Sequence, residues 1–123
     1  MTAPRAEQGA TVAEFALLLP VLATLLFGIG EFGRALWTKA LLDHAVNEAA
    51  RCASVDATDC GTTLGVQTYA VAKAAPLPVT NAVFGYASAA CGSQVTATYT
   101  FTFVAASYLP YSLTLHAQAC FPK

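Results

Sequence analysis

The spacing of apolar and polar positions changes several times along the chain, and each change predicts a different element. Residues 1–9 (MTAPRAEQG) are polar and carry Arg5 and Glu7. From Ala10 to Gly30 apolar side chains then run almost without a break. Glu14 is the only charge there, and 15–30 has none. As a helix, residues 10–30 would be about 31 Å long, close to the thickness of a bilayer's hydrocarbon layer. A cleaved secretory signal is the competing reading. It needs a small-x-small site soon after an apolar core of about 7–15 residues. Gly28-Ile29-Gly30 meets that loosely, but the helical pattern continues past it.

Beyond Glu31 the pattern becomes one-sided. Leu42, Ala45, Val46, Ala49 and Ala53 recur at steps of three and four, while Lys39, Asp43, Asn47, Glu48 and Arg51 fall mostly on other faces. The spacing predicts one helix of about 40 residues, apolar all round at first and amphipathic later. Pro20 removes a backbone donor and favours a kink. Gly28, Gly30 and Gly33 lower local helix stability.

Residues 55–61 read as a loop, with Asp56, Asp59 and Gly61 supplying turn chemistry. Thr62 or Thr63 can cap a short helix to about residue 75, stopped by Pro76 and Pro78. A strand is expected at 79–84. The sharpest alternation follows: Val95, Ala97, Tyr99, Phe101 and Phe103 against Thr96, Thr98, Thr100 and Thr102. After a break at 107–111, Leu113, Leu115, Ala117 and Ala119 alternate with Thr114, His116 and Gln118. Two half-buried strands joined in this way predict an antiparallel hairpin. The expected fold is α+β: a long N-terminal helix, transmembrane in its first half, with a small antiparallel sheet packed on its C-terminal half.

Composition narrows the functional classes. Only 11% of the residues are charged and the net charge is -1, so no basic patch exists to hold nucleic acid. The four cysteines, Cys52, Cys60, Cys91 and Cys120, all follow the apolar span. They allow three pairings. Cys52–Cys60 would close a short loop, and Cys91–Cys120 would tie a strand start to the last strand. Disulfides imply an oxidising compartment and put the C-terminal side outside the cytoplasm. A zinc site is disfavoured, because there is no C-x-x-C and only two histidines, His44 and His116. No metal or cofactor is expected. No catalytic geometry can be drawn either, so the chain does not read as an enzyme. Gly28-Ile29-Gly30-Glu31-Phe32-Gly33 fits G-x-G-x-x-G by letter, but it ends an apolar helix instead of following a strand.

Glu14 needs its own account. A carboxylate inside an apolar span costs up to about 3 kcal/mol on insertion scales, less near the interface. Gly9 stands just before the apolar run, and Phe15 follows Glu14. The run EQGATVAEFALLLPVLATLLFGIGEFGRAL, residues 7–36, resembles the N-terminus of TadE-like pseudopilins of the tight-adherence (Tad/Flp) pilus system, including Leu19-Pro20 and Glu31-Phe32-Gly33-Arg34. The resemblance implies a leader of residues 1–9, removed by a prepilin peptidase between Gly9 and Ala10. It further implies a transmembrane or filament-core helix at 10–30 and an extracytoplasmic domain at 31–123. Glu14 would act in assembly, pairing with the new amine of a neighbouring subunit. The implied role is that of a minor pilin in pilus assembly or initiation, held in the inner membrane and able to enter the extracellular pilus. Its partners would be membrane lipid, the peptidase, other pilin and pseudopilin subunits, and inner-membrane assembly proteins. The alternative is an uncleaved, single-pass anchor carrying an extracytoplasmic binding module.

Overall fold

The computed structural model describes residues 5–108 and 110–123, with side chains from Gly9 onward. The first four residues of the expected leader lie outside the described residues, as does Leu109 in the expected loop. Two compact units divide the chain, Met1–Arg34 and Ala35–Lys123. One helix, α1 (Arg5–Val55), contributes to both. It begins earlier than the apolar pattern predicted, because Ala6, Glu7 and Gln8 are themselves good helix formers and nothing before Ala10 interrupts them.

In the first unit the described structure is α1 alone. Pro20 sits within it, and Thr24 Oγ1 donates to the Pro20 carbonyl at 2.7 Å. Apolar side chains project all round: Phe15, Leu18, Leu22, Leu25, Phe27 and Ile29 are all exposed. The glycines at 28, 30 and 33 are helical, with open space where a Cβ would stand. That helical backbone closes the dinucleotide reading of G-x-G-x-x-G, which needs a strand before the glycines.

The second unit has a core. Residues 35–55 of α1 bury Leu42, Ala45, Val46, Ala49 and Ala50, following the three- and four-residue stripe. Opposite them lie a short helix, α2 (Thr63–Lys73), and a three-stranded antiparallel sheet of β1 (Phe84–Ala89), β2 (Gly92–Thr102) and β3 (Ser112–Phe121), in the order β1-β2-β3. Thr62 caps α2, its Oγ1 accepting from the Gly65 amide at 3.1 Å. Val66 and Ala70 are the buried residues of that helix. Gln67 Nε2 donates to the Phe84 carbonyl at 2.7 Å, fastening α2 to the first strand.

The strand expected at 79–84 is displaced. Residues Asn81–Val83 form a 3₁₀ turn, closed by the Val83 amide donating to the Thr80 carbonyl at 3.0 Å, and the strand starts at Phe84. Gly85 sits close to its neighbour: a Cβ there would lie 2.8 Å from Thr96 Oγ1 on the paired strand, so the threonine side chain would have to shift. A two-residue turn joins β1 to β2, leaving Ala89 opposite Gly92, whose φ of 123° favours glycine.

The β2–β3 hairpin runs in register from Ser93 opposite Phe121 to Thr102 opposite Ser112. Val95, Ala97, Phe101, Leu115, Ala117 and Ala119 point into the core, while Thr98, Thr100, Thr102, Thr114 and His116 are exposed. Phe103 was expected to continue the alternation, but β2 stops at Thr102 and a 3₁₀ turn, Val104–Ser107, follows. Phe103 instead meets Phe101 edge to face, with ring centroids 5.2 Å apart.

Cys52 is bonded to Cys60, and Cys91 to Cys120, with Cα separations of 5.7 and 6.2 Å. The first bond closes the loop after α1, where Asp56 Oδ1 accepts from the amides of Thr58 and Asp59. The second ties the β1–β2 turn to the end of β3.

Candidate functional site

The residues singled out in the sequence lie along one helical segment. Gly9 and Ala10 occupy the second turn of α1 and are exposed, with nothing within 4 Å of a Cβ added at Gly9. Glu14 stands four residues beyond Ala10, one helical turn on and on the same face. It is exposed, and so is Phe15. Pro20, Gly28, Gly30 and Gly33 follow at intervals within the same helix. The fold therefore arranges these side chains in a line along one helix.

A line is still an arrangement with chemical content. Between Glu14 and Glu31 no charged side chain occurs, and the two positions lie about 26 Å apart along a helix. That is slightly less than a hydrocarbon layer of roughly 30 Å, so a bilayer centred on this stretch would hold Glu14 near one edge. The helix is long and apolar enough to cross a membrane, and its most apolar window is wholly uncovered by the rest of the protein. Apolar side chains around a full circumference exclude a surface helix resting on a core, because such a helix needs only a stripe.

At the far end of the span, Arg34 Nη1 donates to Glu31 Oε1. Glu31 is only 8% exposed, whereas half of the Arg34 side chain is open. In the sequence, Glu31-Phe32-Gly33-Arg34 stands out as part of the resemblance. The i,i+3 spacing of opposite charges was the available signal for the ion pair. A second pair, Lys39 to Asp43, follows one turn later at the i,i+4 spacing.

The remaining titratable groups do not converge on a site. His44 is exposed on α1, and His116 is exposed on β3 with its Nδ1 3.4 Å from Thr98 Oγ1. Among the described residues, no group of three or more His, Cys, Asp or Glu side chains could hold a metal ion. Two concavities of the second unit are open to solvent. One is a shallow groove of about 560 Å³ beside α2, lined by Asp59, Thr62, Leu64, Thr68 and Tyr69. The other lies beside the Cys52–Cys60 loop.

The family model described as TadE-like protein matches residues 9–51. The match opens at Gly9, takes in the whole apolar segment and the one-sided stretch after it, and ends at Arg51 within α1. No curated protein matches the chain, and no solved structure does.

Proposed function

We propose that this TadE-like chain is a minor pilin, or pseudopilin, that takes part in the assembly or initiation of a tight-adherence pilus. One observation carries the reading: the family match begins at Gly9 and covers both the membrane-length apolar helix and its amphipathic continuation. In this reading residues 1–9 are a leader, cut from Ala10 by a prepilin peptidase. Gly9 suits that step, since glycine costs a helix about 1 kcal/mol relative to alanine and lets a near-terminal turn open into a cleft. Residues 10–30 hold the mature chain in the inner membrane, and residues 31–123 form the extracytoplasmic domain. The two disulfides support that orientation, because they persist on the oxidising side of the membrane.

Glu14 then has a task that its position favours. In the bilayer its carboxylate stays near the edge, where the cost of a charge is lowest. On entry into a filament it meets the new amine of a neighbouring subunit, and pairing offsets the desolvation of both charges. The role is structural, and its partners are lipid, the peptidase, other pilins and inner-membrane assembly proteins.

The deciding experiment is an intact mass of the full chain extracted from membranes of a cell that carries the pilus system. Loss of the mass of residues 1–9 is expected, and a Gly9→Leu chain should keep them. A wild-type chain that retains its leader overturns the reading in favour of an uncleaved anchor carrying a binding module.

A further inference from the structure

We infer that the β2–β3 connection, through Tyr108 and Tyr111, is a second membrane contact that sets the extracytoplasmic domain down on the lipid interface. The inference rests on residues 10–30 being the membrane span.

The first part of the case lies within the second unit alone. Ser93 Oγ donates to the Ala53 carbonyl at 3.4 Å, and Ser54 Oγ to the Phe121 carbonyl at 3.2 Å. These bonds pin the start of β2 and the end of β3 to the C-terminal end of α1. From Ser93 to Phe101 the strand advances about 26 Å. From Ala53 back to Ala35 the helix covers about 27 Å. Ala35 and Phe101 are both buried, at 4% each, in the same core cluster. The sheet therefore runs back along α1, and the β2–β3 connection emerges at the end of the domain where Ala35, Leu36 and Trp37 lie.

Covalent connection supplies the second part. Leu36 and Trp37 follow the apolar segment within two turns of the same helix, so this end of the domain is the one nearest the span along the chain.

The side chains at that end have the chemistry of an interface. Leu36 and Trp37 are each 57% exposed on α1, and Tyr108 and Tyr111 are 89% and 72% exposed on the connection. Leu113, at the start of β3, is also exposed. Tryptophan and tyrosine concentrate at membrane–water boundaries because their rings are apolar and their N–H or O–H reaches water. There is no Asp, Glu, Lys or Arg between Lys73 and Lys123, so nothing in the connection opposes entry into the headgroup layer. A lipid surface fits the connection better than a charged protein face, because the connection itself carries no charge to pair with one.

The full chain in phosphatidylcholine vesicles with brominated acyl chains provides the test. Trp37 is the only tryptophan, so W37F is a dark background for single reporters. Y108W and Y111W alter highly exposed positions and leave the core intact. V55W reports from the opposite end of the domain, and L22W from the span. Bromines placed shallow in the acyl chains should quench most of the Y108W and Y111W emission, more than deep bromines do, and should leave V55W unquenched. Deep bromines should quench L22W. If L22W is quenched but Y108W and Y111W are not, the interface contact fails and the span stands. If L22W escapes quenching, the span reading fails and takes the inference with it. If Y108W emission shifts to the blue with rising protein-to-lipid ratio but escapes the bromines, another protein chain covers this end and the inference is overturned.

Discussion

Within α1, two stretches of backbone follow the same helical path but answer to different surroundings. In residues 35–55 the apolar side chains form a stripe, Leu42, Ala45, Val46 and Ala49, and all four are fully covered. In residues 9–34 they cover the circumference, and Phe15, Leu22, Leu25 and Ile29 are left exposed. The first stretch is stabilised by a sheet that the chain itself folds. The second is long and apolar enough to cross a membrane, and its apolar side chains are left exposed. Burial within one chain thus marks where the protein ends its own work and where its environment takes over.

The largest effect should fall on the self-covered stretch. Leu42→Ala removes a side chain with no exposed surface and should cost the domain about 2–5 kcal/mol. Leu22→Ala, in the other stretch, should leave domain stability within about 0.5 kcal/mol of wild type. Chemical denaturation of the full chain in detergent, followed by tyrosine emission, measures both. Equal losses would break the distinction between the two stretches.

Charge should reverse the ranking. Leu22→Arg places a guanidinium near the middle of the apolar stretch, at a cost of about 2.5–3.5 kcal/mol on insertion scales. His44→Arg changes an exposed position in the other stretch and should shift stability by no more than about 0.5 kcal/mol. Partition between membrane and soluble fractions should fall for the first substitution and stay unchanged for the second.

Much of this contrast is legible in the sequence, because hydrophobic periodicity reports the kind of cover a helix needs. Leu42, Ala45, Val46 and Ala49 announce a one-sided neighbour, and the unbroken run at 15–30 announces an apolar surrounding. The Thr98, Thr100 and Thr102 alternation announces a half-buried strand for the same reason. What stayed hidden depends on contacts distant in sequence. The first strand lies at Phe84–Ala89 and not at 79–84, because it is those residues that pair with Ala97–Gly92 and Gln67 fastens the Phe84 carbonyl to α2. Phe103 leaves the strand to meet Phe101 edge to face, which no alternation rule contains. The N-terminal positions Gly9 and Glu14 are legible only as a pattern, since both are exposed and nothing else in the chain packs a site around them among the described residues.

The disulfides act on the self-covered unit only. Cys91–Cys120 closes a separation of 29 residues and Cys52–Cys60 one of 8, so the chain-entropy account gives the first the larger share of about 2–4 kcal/mol each. Cys91→Ser with Cys120→Ser should therefore lower the denaturation midpoint more than Cys52→Ser with Cys60→Ser. Neither pair of substitutions should change membrane partition, and a drop in partition would show that the two stretches are coupled.

The smallest effect sharpens the comparison most finely. Lys39 pairs with Asp43 four residues away, with 36% and 45% of their side chains exposed. A pair so open to water is stabilised by only about 0.3–0.5 kcal/mol, because solvent screens it and both side chains lose freedom. Lys39→Ala should lower domain stability by that amount in dilute buffer, and the difference should shrink in concentrated salt. Parallel denaturation curves at low and high ionic strength measure it. A loss above about 1.5 kcal/mol, insensitive to salt, would mean that Lys39 is held in a low-dielectric setting. The change from the uncovered, apolar stretch to the self-covered one would then lie beyond Lys39, closer to the first turn that buries Leu42.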